Sequence, residues 1–364
     1  MNANWWQSRR EELLTLAEKQ CPLYVYNEET VNDLFFDLLS IDSLQGLLYP
    51  VSMNPHQKIL RKAFEMDLGF SCISTGAWRG FFDQLCQPNL HPLFFIAYNT
   101  DDINALQDSP YWTDLILTDP QVFKTYSNSS LDREKKGIHI FPDSKTRLDF
   151  IQWSEINPNG FYISQKSFLP SSDESKKIHS FITKASNSFP EANTLILGNY
   201  SIAGPNFEIR DLDIRSIEES IAILNDSCPR LSLWLEVPAF MLSSSGVLIV
   251  KVLETGEKEK KPYIRINADI NAFMNYKSIK ARPNLMNLSS SHETEPVTNG
   301  IAEQNQGLDH ASVILDDPTS IKKGDVLAIT NLGVCSPSEC INDKGRNDIP
   351  EHYLTARRIC QVKL

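Results

Sequence analysis

Six polar residues of this sequence are candidates for chemistry. They are Ser52, Asn54, Tyr162, Glu236, Asn275 and Cys335. The Ser52 hydroxyl would be a nucleophile only with a base beside it, and no motif places a histidine there. His56 lies on the helix predicted after Ser52, where histidine is more often solvated or capping. Because the sequence has no Ser-His-Asp order, HxxxE ligand set or GxSxG elbow, these residues alone indicate no named reaction.

The cysteines favour free thiols over a metal site. The sequence has 7 cysteines and no CxxC pair. Cys335 and Cys340 are close in sequence, but no pair of histidines accompanies them at zinc-ligand spacing. We therefore expect no bound metal and a reducing compartment, the cytoplasm.

Alternating strands and helices must position these candidates in the first two thirds of the chain. Asn27, followed by two glutamates, predicts one helix start, and Asn54 with Pro55 predicts another. Residues 217–224 predict a third helix. Short buried strands that alternate with helices are typical of parallel βαβ units, and eight of them predict a closed (β/α)8 TIM barrel. The predicted strands are 47–51, 69–74, 93–98, 114–118, 137–141, 160–164, 194–198 and 231–236.

After Glu236 the pattern changes to strands without helices of comparable length. The predicted strands are 246–253, 262–267, 325–331 and 358–364. This pattern predicts a second, mainly antiparallel β domain. Residues 284–307 are polar and predict a long loop. We place the barrel at 28–236 and the β domain at 1–27 and 237–364.

Composition excludes several classes of protein. The formal net charge is −11 and no basic stripe is present, which argues against nucleic-acid binding. No apolar run approaches the length of a membrane span. The N-terminal residues carry no apolar segment of the secretory type. We therefore expect a cytoplasmic protein with neither a membrane nor a nucleic-acid partner.

Motifs along nearly the whole chain resemble one enzyme family. Residues 21–27, CPLYVYN, resemble the family segment TPLYVYD, and residues 49–55, YPVSMNP, resemble YAVKANP. Residues 69–76, GFSCISTG, and 323–329, KGDVLAI, resemble later signatures in the same order. The family is that of the fold-type III pyridoxal-phosphate decarboxylases, which act on diaminopimelate or ornithine. The resemblance implies an alanine-racemase-like barrel plus a C-terminal β domain, in agreement with the pattern of strands.

The departures from the family concern the cofactor. In the family, the lysine of YAVKANP forms a Schiff base with pyridoxal phosphate, and here that position is Ser52. A hydroxyl forms no imine. The nearest lysine, Lys58, lies in the following helix and should point elsewhere.

The phosphate contacts implied by the resemblance are reduced as well. The family loop GGGF is matched by Gly198 and Asn199, so one glycine remains. Ala239 stands where the family motif EPGR has its arginine. Cys335 stands where the late motif GAY has its tyrosine, and a thiol is a poor replacement for a phenol.

The ring and substrate contacts depart in part. Glu236 matches the carboxylate that bonds the pyridine nitrogen in the family, and Tyr162 takes the place of the histidine that stacks on the ring. Asn54 matches the asparagine of YAVKANP, and Asn275 stands where a substrate-binding arginine is expected. The sequence has no cysteine between Asn267 and Cys335, where the family places its catalytic cysteine.

Several functions follow from a degenerate site. A laboratory substitution at Ser52 would explain one departure and leave the others. We expect no cofactor, with pyridoxal phosphate implied by the resemblance alone. The first hypothesis is a pseudoenzyme, inactive as a decarboxylase, that forms a homodimer or a heterodimer with an active paralogue or another protein. The alternatives are a repurposed barrel enzyme or small-molecule binder, a pyridoxal-phosphate lyase with a relocated lysine, and a non-covalent carrier of the cofactor.

Overall fold

The computed structural model describes most of the chain. The described residues are 4–51, 54–72, 92–106, 114–128, 137–140, 157–164, 173–198, 214–237, 241–258, 261–268, 285–290, 301–303, 311–314, 321–333, 341–342, 345–346 and 349–355. By its own contacts the chain divides into two compact units. The first lies within 35–238, and the second combines residues up to 34 with residues from 239 onward.

Eight parallel strands close into a barrel, so the predicted barrel is confirmed. Each predicted strand overlaps an observed one. The strands are β2 (Gly46–Pro50), β3 (Gly69–Cys72), β4 (Leu93–Ala97), β5 (Asp114–Leu117), β6 (Gly137–Ile140), β7 (Gly160–Ser164), β8 (Thr194–Gly198) and β9 (Ser232–Glu236). Their alternating side chains form a buried interior cluster of Leu48, Phe94, Ile96, Ile116, Tyr162 and Ile196, with Trp234 packed against it.

Helices follow or connect these strands. Their bounds are α3 (Glu28–Leu39), α4 (Gln57–Glu65), α5 (Thr100–Leu106), α6 (Pro120–Asn128), α7 (Asp173–Ser188) and α8 (Ile214–Ser227). The predicted start of α3 is confirmed, because Asn27 Oδ1 accepts hydrogen bonds from the amide (2.9 Å) and hydroxyl (3.1 Å) of Thr30. None of the helices in the described ranges is long and apolar enough to cross a membrane.

The predicted helix start at Asn54 is wrong. The cap of α4 is His56, whose ψ of 120° is extended and keeps the helix from beginning earlier. Asn54 Oδ1 instead accepts a hydrogen bond from the amide of His56 at 3.0 Å. The segment before α4 is therefore a turn stabilised by an asparagine side chain.

The second unit contains an eight-stranded, mostly antiparallel sheet, which confirms the predicted β domain. Its strands are β1 (Leu23–Asn27), β10 (Gly246–Lys258), β11 (Lys261–Ile266), β12 (Leu285–Asn287), β13 (Ile301–Glu303), β14 (Ala311–Ile314), β15 (Val326–Ile329) and β18 (Glu351–Leu354). A separate ladder joins β16 (Ile341–Asn342) to β17 (Gly345–Arg346). The long loop predicted at 284–307 is wrong where β12 and β13 pair with β15 and β14. The strand predicted at 358–364 lies outside the described residues.

Strand β1 lies inside this sheet. It pairs antiparallel with β10 (Leu23 with Ile249) and parallel with β18 (Tyr24 with Glu351). All five of its residues are buried. The helices α1 (Trp5–Ser8) and α2 (Arg10–Lys19) add Trp5, Trp6, Leu13 and Ala17 to the core formed with β1 and β10.

Candidate functional site at the barrel mouth

The carboxyl ends of the barrel strands meet at one edge, the barrel mouth, where (β/α)8 enzymes keep their active sites. Strand side chains alternate between the two faces of a sheet. Ile196 and Trp234 belong to the interior cluster, so Gly198 and Glu236, two residues further along β8 and β9, also face the interior. Gly198 and Glu236 are register partners. The side chain of Glu236 is fully buried, so a carboxylate lies inside the barrel at its mouth.

Ser71 also faces this mouth, and the sequence reasoning did not single it out. It is the register partner of Pro50, which lies two residues beyond the interior residue Leu48. Its side chain is fully buried, and its hydroxyl has no hydrogen-bond partner within the part of the chain that the structure describes. Buried hydroxyls usually have a partner, and one without costs about 1–3 kcal/mol.

The Glu236 carboxylate raises the pKa of two residues at the ends of β3 and β4. Burial raises the pKa of the Cys72 thiol well above its usual value, and the Glu236 carboxylate raises it further. The pKa of Tyr98 is also raised, first by burial, then by Glu236 and then by Asp102. Both groups therefore keep their protons at neutral pH, and Cys72 is not a thiolate nucleophile.

Tyr98 stands at the rim of the mouth, directly after β4, and is 46% exposed. The Asp102 carboxylate accepts hydrogen bonds from the amides of Tyr98 (2.8 Å) and Asn99 (3.1 Å). Asn99 Oδ1 in turn accepts the amide of Asp102 at 3.0 Å. This reciprocal cap at the start of α5 fixes the backbone of Tyr98.

Tyr162 packs directly on Gly198. A Cβ built on Gly198 would overlap the hydroxyl oxygen and Cζ of Tyr162 and lie 2.6 Å from its Cε1. The Tyr162 side chain is fully buried and belongs to the interior cluster. Its phenol therefore occupies the space above the one glycine that remains of the expected phosphate loop.

Asn54 is buried beside the mouth in the turn after β2. Its carbonyl oxygen accepts the Tyr49 hydroxyl at 2.6 Å, and its side chain holds the amide of His56. Burial, with a smaller effect of Lys58, lowers the pKa of His56 to about 4. The His56 imidazole is therefore neutral at physiological pH.

A histidine–aspartate pair lies in the barrel interior away from the mouth. His139 Nε2 is 3.2 Å from Asp114 Oδ2, and Asp114 Oδ1 accepts the amide of Gly137 at 2.7 Å. Asp114 and Gly137 begin their strands, and the amino end of such barrels serves stability. The pair therefore stabilises the fold. The alternation of side chains along β5 and β6 would have placed both residues on the interior face of the barrel.

The candidate site residues are the six polar residues named first and the phosphate-loop pair Gly198 and Asn199. Four of these eight lie in the described part of the chain. Tyr162, Gly198 and Glu236 come together at the mouth, and Asn54 lies in the turn after β2. The remaining candidates, Ser52, Asn199, Asn275 and Cys335, lie outside the described residues.

Gly333, which matches the glycine of the late family motif GAY, has a packing role. A Cβ on Gly333 would overlap the Leu242 carbonyl oxygen, and the Gly333 amide donates to Ser243 O at 3.0 Å. A Cβ on Gly246 would lie 2.5 Å from Gly333 Cα. The close approach of two chain segments therefore requires glycine at this point.

Solved structures are similar to this chain, although no protein-family model and no curated protein matches it. The arginine decarboxylase of Paramecium bursaria Chlorella virus matches with a TM-score of 0.73 and 15% identity over 96% of this chain and 100% of that chain. A Vibrio vulnificus lysine/ornithine decarboxylase complexed with cadaverine matches at 0.72 and 12% over 96% and 97%. A Helicobacter pylori diaminopimelate decarboxylase complexed with L-lysine matches at 0.65 and 18% over 90% and 90%. This likeness shows that the chain has the barrel and β-domain fold of these decarboxylases.

Proposed function

We propose that this chain descends from pyridoxal-phosphate decarboxylases and no longer catalyses decarboxylation, acting instead as a non-catalytic subunit. The shared fold and the order of the sequence motifs support the descent. Packing at the mouth of the barrel supports the loss of activity.

The packing of Tyr162 on Gly198 carries the proposal. In the resembled family, bare backbone amides after the seventh barrel strand hold the phosphate, which requires open space above the glycine. Here a fully buried phenol occupies that space. The described residues of the mouth therefore do not fit pyridoxal phosphate, although Glu236 alone would suit its pyridine nitrogen.

Replacements of the cofactor-binding residues of the resembled family also support the loss of activity. Ser52 replaces the lysine that would form the Schiff base, and Ala239 and Cys335 replace two phosphate contacts. Among the described interior residues at the strand ends, Pro50, Ser71, Gly198 and Glu236, none carries a positive charge. Each charged contact to a phosphate contributes about 1.5–3 kcal/mol, so the combined loss would abolish tight binding.

The direct test is pyridoxal-phosphate binding to the purified protein. We expect no binding in equilibrium dialysis and no lysine adduct after borohydride reduction, checked by mass spectrometry. A diaminopimelate decarboxylase treated in parallel is the positive control. A trapped adduct on any lysine of this chain would contradict the proposal and favour a relocated catalytic lysine.

The second test restores the missing amine. The Ser52→Lys variant should release no carbon dioxide from diaminopimelate, lysine, ornithine or arginine, because the space above Gly198 stays filled. Recovery of turnover in this single variant would show that Ser52 alone had silenced the enzyme.

Assembly is the third part of the proposal. We propose a homodimer or a heterodimer with an active paralogue, as the resembled decarboxylases imply. Light scattering of the purified chain distinguishes a monomer from a homodimer. Co-expression with a decarboxylase from the same genome, followed by measurement of its kcat, tests for a regulatory partner.

A repurposed small-molecule binder is the second candidate. The buried Glu236 carboxylate and the Ser71 hydroxyl favour it, because both are polar groups that face the interior of the mouth. This candidate predicts a ligand other than the ancestral cofactor.

A further inference from the structure

The outer helices α7 and α8 carry opposite charges on their exposed sides. Both belong to the barrel unit, contact each other, and lead into the paired strands β8 and β9. On α7, Lys177, Ser180 and Lys184 are exposed, on the side opposite the buried Ile178 and Ile182. The charged side chains that the structure describes as exposed on this helix are all lysines.

The exposed side of α8 is acidic and contains an apolar residue. Glu219, Ile223 and Asp226 are exposed, whereas Ile221 and Leu224 face the barrel and are buried. Ile223 is 42% exposed and lies between the two carboxylates, because residues three and four apart are neighbours on a helix surface. The exposed residues of the two helices form what we term the α7–α8 face: Lys177, Ser180, Lys184, Glu219, Ile223 and Asp226.

The charges of the α7–α8 face are not matched within the chain. Lys177, Lys184, Glu219 and Asp226 form no ion pair in the part of the chain that the structure describes. Their side chains are therefore available to a partner whose charges have the opposite arrangement.

The spacing of these residues makes the face complementary to itself. The exposed residues of α7 are separated by three and then four positions, and those of α8, taken from its carboxyl end, have the same separations. In matching order they are Lys177, Ser180 and Lys184 on α7, and Asp226, Ile223 and Glu219 on α8. An antiparallel contact of α7 with α8 of a second copy therefore places each lysine opposite a carboxylate. It also places Ile223 opposite Ser180, whose small side chain leaves room for it.

We propose that the α7–α8 face is the surface through which two copies of this chain associate. A two-fold axis brings α7 of each copy to α8 of the other, so the same contact forms twice. The antiparallel arrangement also opposes the two helix dipoles favourably. This inference deepens the assembly part of the proposed function and rests on the homodimer proposed there.

The α7–α8 face is small, so the association should be weak. Helix α7 has 16 residues and α8 has 14. Helices of this length are about 20–24 Å long, and neighbours lie about 8–10 Å apart, which gives a face on the order of 500 Å². A standard interface buries about 800 Å² of each partner. We therefore expect a Kd on the order of micromolar or weaker, and dissociation as salt is added, because salt screens charge pairs at a surface.

Charge reversal tests the face without changing a core residue. Analytical ultracentrifugation over a range of protein concentrations measures the association of the purified chain. One variant combines Lys177→Glu with Lys184→Glu, and the other combines Glu219→Lys with Asp226→Lys. Each should weaken the dimer about 10-fold or more, because like charges then oppose each other across the contact.

A matched control separates the face from net charge. Lys124→Glu combined with Lys323→Glu makes the same change of charge at exposed positions outside the face and should leave association unchanged. Ile223→Ser should weaken the dimer about 3-fold or more, because it removes the apolar centre of the contact. Leu253→Ser, at a residue that is 36% exposed in the second unit, should have no effect.

Recombining the reversed helices should restore association. The quadruple variant again places every lysine opposite a carboxylate and should dimerise like the wild type. A mixture of the two reversed variants should form a heterodimer, since one carries two acidic helices and the other two basic helices. Thermal melting confirms that each variant is folded, and the mixture still tests the face if the quadruple variant unfolds.

The outcomes separate this inference from the proposed function. A dimer that persists in both reversed variants, an equal loss in the control, or no recovery in the quadruple variant and the mixture would overturn the α7–α8 face. A wild-type chain that is monomeric at every concentration would also overturn it, and would leave only the heterodimer of the proposed function. Binding of pyridoxal phosphate would overturn the proposed loss of activity and leave the α7–α8 face standing.

Discussion

The substitution Gly198→Ala tests the packing that carries the proposed function. The added methyl group would overlap the phenol of Tyr162, and the tyrosine is fully buried among Leu48, Phe94 and Ile196. The ring therefore has no solvent to move into. The barrel must shift backbone or force the tyrosine away from its preferred rotamer.

Overpacking of this kind costs about 1–3 kcal/mol in a well-packed core. The intrinsic preference acts in the opposite direction, because alanine is better than glycine inside a strand by about 0.5–1 kcal/mol. We expect a net loss of about 2 kcal/mol in the free energy of unfolding, since the closest contacts lie far inside van der Waals distance.

Urea unfolding followed by circular dichroism measures this loss. The matched control is Gly256→Ala, where a Cβ would lie 2.6 Å from the ring of Tyr263 on an exposed hairpin. That ring is only half-buried and can move aside with the loss of its hydrogen bond to Glu254, so the control should change stability by less than about 1 kcal/mol. In a Tyr162→Ala background the Gly198→Ala substitution should become neutral or slightly stabilising.

A Gly198→Ala variant as stable as the wild type would refute this reasoning. The same conclusion would follow if its cost were unchanged in the Tyr162→Ala background, because the two residues would then be energetically independent. Either result would leave the space above Gly198 open to a phosphate group.

Three further predictions concern other parts of the chain. Asn27→Ala should lower the unfolding free energy by about 1 kcal/mol in urea titrations, because the amide of Thr30 loses its acceptor. His56 in the folded chain has its pKa lowered from 6.5 to about 4, so the unfolded chain binds a proton that the folded chain refuses. The free energy of unfolding should therefore decrease as the pH is lowered from about 7 toward 4. The His56→Gln variant should lack about 1–2 kcal/mol of the decrease that the wild type shows between about pH 7 and pH 5. Cys72 should resist alkylation in folded protein at neutral pH and react once urea unfolds the chain, as peptide mass spectrometry would show.

The barrel was predictable because each of its strands is a short apolar run, bounded by residues that favour turns. The alternation of these runs with helical patterns leaves few topologies. Strands β12 and β13 were missed because they are three residues long and lie in a polar segment. Their pairing depends on β15 and β14, which is tertiary information that the local pattern does not contain.

The site was predictable only in part. Glu236 and Gly198 were found because they match motifs of the resembled family, whereas Ser71 lies within an apolar run and matches no site residue that was singled out. Its position at the mouth depends on the register between β2 and β3. The direction of the Tyr162 side chain toward Gly198 depends on packing among several strands, so the sequence could place the tyrosine near the site without showing which space it fills.

Strand β1 has a consequence for the order of folding during synthesis. Its residues pair with β10 and with β18. The pairing of Tyr24 with Glu351 can therefore form only after Glu351 has left the ribosome. All barrel strands emerge before that point, and the barrel can assemble first. Until the late strands arrive, α1, α2 and β1 expose Trp5, Leu13 and Val25, which are buried in the finished chain. The nascent protein therefore presents an apolar segment to chaperones for most of its translation.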